Sequence, residues 1–149
     1  NNRNRFLPQV FNLGFGPFKS DGTIDDKAVI THKNSSKVYS TILFGALVFL
    51  NNNRDRMVGI DGSDMRRAYL YYRLLQNNFD YLIRYFRLIG IKYYARLLRG
   101  IEQTDPLVPD PTDITTWPSG ISKGESIRCD KLYNYFMFDL IGQPLIKII

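Results

Sequence analysis

The stretch Asn34–Asn53, NSSKVYSTILFGALVFLNNN, restricts the fold more than any other part of the chain. Tyr39, Ile42, Leu43, Ala46, Phe49 and Leu50 recur at helical spacing, and Asn34, Ser35 or Ser36 can cap the first turn by offering a side-chain oxygen to its unpaired N–H groups. Three asparagines end the pattern. The chain on either side has a different period. In QVFNLGFGPF (Gln9–Phe18), Phe11, Leu13 and Phe15 alternate with Asn12, Gly14 and Gly16. KSDGT then supplies turn chemistry, and TIDDKAVITH (Thr23–His32) can return as a second strand, making an N-terminal β-hairpin with a glycine-weakened first arm. After the helix, RMVGI (Arg56–Ile60) is short and apolar, as a buried strand is. A strand–helix–strand unit of this kind implies an α+β fold, a mixed sheet covered by helices.

The remainder extends that plan to helix–strand–helix–helix and a C-terminal hairpin. Ser63 can cap a second helix over about Asp64–Gln76. NNFDYLIRYFRLIG supplies a third, with Phe79, Leu82, Ile83 and Phe86 on one stripe and Gly90 as its stop. IKYYARLL (Ile91–Leu98) reads equally as a strand or as more helix. From Gly100 to Gly124 the composition shifts to four prolines, the acids Glu102, Asp105, Asp110 and Asp113, and the single tryptophan, Trp117. With no periodicity, that stretch reads as a flap or an insertion. KLYNYFMFDLIGQPLIKII closes the chain as two strands around Ile141-Gly142-Gln143. At 149 residues, the expectation is a single domain over residues 1–149.

Several classes are set aside on composition. One cysteine, Cys129, allows no intramolecular disulfide and fits a reducing cytoplasm. The richest apolar run, Val38–Leu50, is shorter than the roughly 20 residues of a membrane span, and NNRNRF does not read as a secretory signal. The reading is therefore a cytoplasmic protein with no membrane association. Net charge is +6, and the ten Lys/Arg and four Asp/Glu between Arg54 and Arg99 account for all of it. The same window holds seven of the ten tyrosines. Cations interleaved with rings are what a single-stranded nucleic-acid surface needs, because phosphates attract cations and bases stack on flat partners. A solvated basic face beside a tyrosine-rich core would give the same composition.

VFNLGFGPF, then GTIDDKAVIT, a helix, and later DGS with Arg67, Leu70 and Tyr71 together resemble an uncharacterised family of small bacterial proteins. Those read approximately YNLGFGDF, G.IDD, a helix, a strand and GSTPARTRLYR. The resemblance covers about residues 9–90. Asn12, Leu13, Gly14, Phe15 and Gly16 fit the first motif; Gly62, Ser63, Arg67, Leu70 and Tyr71 fit the second. Asp64, Met65 and Tyr69 depart from it, and an acid at 64 would oppose a bound anion. The resemblance implies no activity. At most it implies the company such stand-alone proteins keep: mobile elements, toxin–antitoxin pairs and phage-conflict systems.

The candidate site is GIDGSDMRRAYLYY (Gly59–Tyr72). If Ser63 begins a helix, the N–H groups after Gly62 and the Ser63 hydroxyl face any anion there, Arg67 adds a bidentate donor one turn on, and Tyr71 adds a ring or hydroxyl. Arg66 and Arg73 flank them. The alternative is an ordinary Ser63 N-cap, with Arg67 paired to Asp61 or Asp64. On a helical wheel Met65, Ala68, Tyr72 and Leu75 form the core face, and Leu70 and Leu74 a second apolar stripe that a partner would cover. Catalytic signals are sparse. His32 has no nucleophile pattern beside it, and one His with one Cys makes no metal cluster. Asp25 and Asp26 would point to opposite faces of a strand. No cofactor is implied. The sequence thus supports a small basic binding module of a bacterial or phage conflict system, contacting RNA, DNA or a nucleotide through Gly62, Ser63, Arg66, Arg67, Tyr71 and Arg73. Its rivals are a protein–protein module or homodimer using Leu70 and Leu74, and a toxin-like ribonuclease.

Overall fold

The computed structural model describes residues 9–25, 28, 33–62, 65–98, 108–128 and 132–142. The described strands are β1 (Val10–Asn12), β2 (Met57–Asp61), β3 (Phe86–Leu98), β4 (Val108–Gly120) and β5 (Tyr135–Leu140). The helices are α1 (Ser35–Asn52), α2 (Met65–Asn77) and the single turn α3 (Phe79–Leu82). The strands form one mixed sheet in the order β1-β2-β5-β3-β4, with β1 parallel to β2 and every other pair antiparallel. This is the α+β plan that the periodicities imply.

α1 forms where helical spacing places it, and its ends show why. Asn34 accepts the Lys37 N–H on Oδ1 at 3.0 Å. At the other end Asn52 and Asn53 donate from their side-chain amides to the carbonyls of Val48 and Phe49, each at 2.9 Å. The asparagines thus close the last turns with side-chain bonds, and the Phe49 carbonyl is one that the helix end leaves open. No described helix is long and apolar enough to cross a membrane.

Strand alternation divides the side chains between two faces. Val58, Ile60, Phe86, Leu88, Phe136, Phe138 and Leu140 pack against Ala46 and Leu50 of α1, Ala68, Tyr71, Tyr72 and Leu75 of α2, and Leu82. The opposite face carries Val10, Met57, Ile91, Tyr135 and Met137 in a second buried cluster. β5 is buried at every position, as a central strand with both faces covered should be. Two glycines admit rings into this packing. A Cβ on Gly90 would lie 2.3 Å from Cγ of Tyr133, and one on Gly59 would lie 2.3 Å from the Tyr135 ring. Tyr135 crosses Gly59 to donate its hydroxyl to Oδ1 of Asn12 on β1.

Three expectations are refined or corrected. The N-terminal hairpin is described only beside its turn, where Phe18 and Ile24 form an antiparallel bridge and Asp25 donates its N–H to the Pro17 carbonyl at 2.8 Å; most of the second arm lies outside the described residues. The start of the first arm pairs with β2: β1 runs parallel to it, and Leu13 donates its N–H to the Gly59 carbonyl at 2.8 Å. The KSDGT turn does form: Asp21 accepts the Thr23 N–H at 2.9 Å, and Gly22 takes a φ of 80°. The third helix stops after one turn, and Phe86 and Gly90 belong to β3 rather than to a helical stripe and its stop. Within Gly100–Gly124, residues Val108–Gly120 form β4. Its prolines are tolerated because β4 is the sheet's edge, where a missing N–H breaks no inner ladder. Beyond Ile91, β3 continues past β5 while still paired to β4, so the flap expected there is built as a two-stranded ribbon. The second arm of the C-terminal hairpin lies outside the described residues.

Candidate nucleic-acid interface

α2 is placed by the glycine that precedes it. Gly62 is buried, donates its N–H to the Asn134 carbonyl at 2.9 Å, and lies so close to the helix that an added Cβ would stand 3.0 Å from the Phe136 ring and 3.1 Å from Cα of Ala68. The glycine therefore lets α2 press against β5, and its own N–H serves the fold. Gly62→Ala is expected to cost about 1–3 kcal/mol by forcing the helix outward. Chemical denaturation of the variant measures this, and a cost near zero would show that α2 has room to shift. Ser63 and Asp64, and with them the expected cap, lie outside the described residues.

Once α2 is seated, its faces are set at about 100° per residue. Ala68, Tyr71, Tyr72 and Leu75 point inward. Tyr71 is 7% exposed, with ring centroids 6.4 Å from Phe15, 6.4 Å from Tyr39 and 6.2 Å from Phe136. Its ring is a core element joining the NLGFG segment to both helices and β5. Tyr72 donates its hydroxyl to the Glu125 carbonyl, and burial raises its pKa, with the Glu125 charge adding to the effect. Gln76 reaches Ser122 O and Gly124 N–H, each at 2.8 Å, and fixes the same loop to the helix.

The outward arc reads Met65, Tyr69, Arg73, Arg66, Leu70 around the helix, all exposed. Arg67 and Leu74 are half-buried on its flank, and Leu74 packs against the core. The structure thus brings Arg66, Arg73 and Leu70 together and turns Tyr71 and Leu74 away from them. Met65, expected in the core, is exposed. Tyr69, half exposed at 50%, belongs to the outer face and was missed by sequence reasoning. Its position at i+3 from Arg66 and i−4 from Arg73 is the signal that places it there. α2 contains no acidic residue. Past the end of the helix, Asp80 is paired with Lys123. Past α2, the exposed Tyr81 and Tyr85 rings lie 5.4 Å apart, and Arg84 is exposed as well. Among the described residues no group of His, Cys, Asp and Glu could hold a metal ion; His32, Asp26 and Cys129 lie outside them.

Fold and surface together define a mixed-sheet α+β protein that presents a basic, tyrosine-bearing helix. The chain belongs to a family of unknown function (DUF6934), whose family model matches residues 3–99. No curated protein and no solved structure matches it. The match spans β1 to the end of β3, including α2 and the NLGFG segment, and stops short of β4 and β5.

Proposed function

We propose that this chain is a small basic binding module whose α2 face contacts nucleic acid, with single strands as the preferred form. The observation that supports this reading is the outer arc of α2. Two exposed guanidinium groups, Arg66 and Arg73, sit beside a half-exposed tyrosine ring on a helix that carries no carboxylate. Guanidinium groups make bidentate contacts to phosphate oxygens, and an exposed ring gives a base a stacking surface. Arg67, on the flank, can follow the backbone of a strand lying along the arc. The setting in a bacterial or phage conflict system is part of the proposal and rests on the resemblance of the motifs alone.

Fluorescence anisotropy with a short labelled RNA or DNA single strand tests the reading. Wild type should bind, with affinity falling steeply between about 50 and about 200 mM salt. Arg66→Ala and Arg73→Ala should each weaken binding and flatten the log–log salt slope by about 0.7, the share of one phosphate contact on a single strand. Gly59, on the opposite side of the sheet, is no part of this face. No binding at about 50 mM salt, or binding indifferent to both substitutions, would rule the reading out.

A further inference from the structure

The helix-bearing face of the sheet continues past α2 to the β3–β4 edge, where it carries an aromatic and a cationic group on paired strands. Lys92 and Trp117 are directly opposed in the β3–β4 register, so their side chains leave the same face. That face is the one bearing α2. Gly90, two residues before Lys92, lies under the Tyr133 ring, and Tyr133 packs on Tyr72 of α2 with centroids 6.4 Å apart. Lys92 Nζ stands 5.6 Å from the centroid of the same Tyr133 ring. A row therefore runs from α2 through Tyr133 and Lys92 to Trp117, which is 56% exposed. The local carboxylate, Glu125, lies at the hydroxyl end of Tyr133, 3.4 Å from it, and takes the Ser122 N–H at 3.4 Å. The ammonium stands over the ring instead.

We infer that Trp117 and Lys92 form a second subsite for a single-stranded nucleic acid, in which the indole stacks on a base and the ammonium contacts the adjoining phosphate. The inference rests on the nucleic-acid reading of α2 and names the form of ligand. A base can lie against Trp117 only if it is free of its own stack, so the subsite selects single strands over duplex. Positive charge in the whole chain supplies the attraction that brings a polyanion to both places. Because Trp117 stands on a strand rather than in a loop, its backbone is positioned before the ligand arrives.

Trp117 is the only tryptophan, so its fluorescence reports this subsite alone. Unlabelled oligothymidine, a duplex of the same length and a mononucleotide are titrated into wild type while anisotropy is followed in parallel with labelled strand. The expected result is quenching by the single strand that saturates with the anisotropy change, and little quenching by the duplex. Weak quenching by the mononucleotide would fit a base contact without the second phosphate site, whereas mononucleotide binding as tight as the oligomer would overturn a strand-spanning site. Trp117→Ala should weaken oligomer binding by about 5- to 100-fold. Lys92→Gln should flatten the salt slope by about 0.7. Trp117→Phe keeps the stacking plane and should retain most of the affinity, which guards against reading a folding defect as lost binding. Binding lost in Arg66→Ala but silent at Trp117 overturns the subsite and leaves the α2 reading standing. Absence of any anisotropy change overturns both.

Discussion

Arg87→Met is expected to lower the free energy of unfolding by about 3–5 kcal/mol at neutral pH, because it strands a buried carboxylate. Asp139 is 1% exposed, on the face of the sheet away from the helices, and Arg87 pairs with it directly across the β3–β5 register. Its Oδ1 accepts no hydrogen bond from the described residues. Burial raises the Asp139 pKa above the ordinary carboxylate value, and the Arg87 charge works against that rise. Removing the guanidinium leaves burial unopposed, so the folded-state pKa climbs further. The sign then follows. An acid with a raised folded pKa holds its proton in the folded chain while the unfolded chain has released it, so stability falls as pH rises from the unfolded value through the folded one. The variant widens that window upward. Its deficit relative to wild type should therefore be largest at neutral pH and shrink as pH falls toward the ordinary carboxylate range. Urea denaturation of both proteins at several pH values measures this. A deficit that does not change with pH would mean that Arg87 stabilises through packing of its stem rather than through the Asp139 charge.

Gly90→Ala should cost about 3 kcal/mol, the upper end for overpacking. The added Cβ would meet Tyr133 at Cγ, the root of the ring, which turning the ring about its own axis does not move. Tyr133 is itself enclosed by Tyr72 and Phe136. In a Tyr133→Ala background the same glycine substitution should be nearly neutral, which gives a coupling of about 2–3 kcal/mol in a double-mutant cycle. Additive losses would mean that the clash lies elsewhere. Gly14, inside the most recognisable motif of the chain, offers a contrast. Its Cβ would meet nothing within 4 Å, and Gly14→Ala should change stability by less than about 0.5 kcal/mol.

Local information made the first half of the fold legible. Asn34 and the asparagines after Leu50 announce the ends of α1 because capping is a contact between near neighbours. RMVGI reads as a strand because β2 is buried and apolar along most of its length. The errors arise where distant segments decide. Phe79, Leu82, Ile83 and Phe86 fit a helical stripe, but Phe86 and Leu88 face one side of the sheet while Ile89 and Ile91 face the other. A strand with both faces packed shows no alternation and mimics a helix. β4 was hidden by its prolines, which only an edge position permits, and no local pattern marks an edge. At the candidate site, Arg66 and Arg73 were correctly placed on the exposed helix surface. Tyr71 was assigned to the binding surface and Tyr69 overlooked because the inward direction of α2 depends on Gly62 lying against Ala68, a contact absent from any helical wheel.

The strand order also governs how the polypeptide can be made. β2 and β3 are not neighbours; β5 lies between them and joins them. On a ribosome, β1 and β2 emerge as one unit and β3 with β4 as another, each with an inner edge of unpaired amides and carbonyls. Neither can dock on the other until Tyr135–Leu140 has left the exit tunnel and slotted between them. Assembly therefore waits for contacts between residues far apart in sequence, which slows folding and prolongs exposure of Val58, Phe86 and Leu88. A nascent chain in that state is a natural client for holding chaperones, and fragments ending near residue 99, where the family match ends, should aggregate rather than fold.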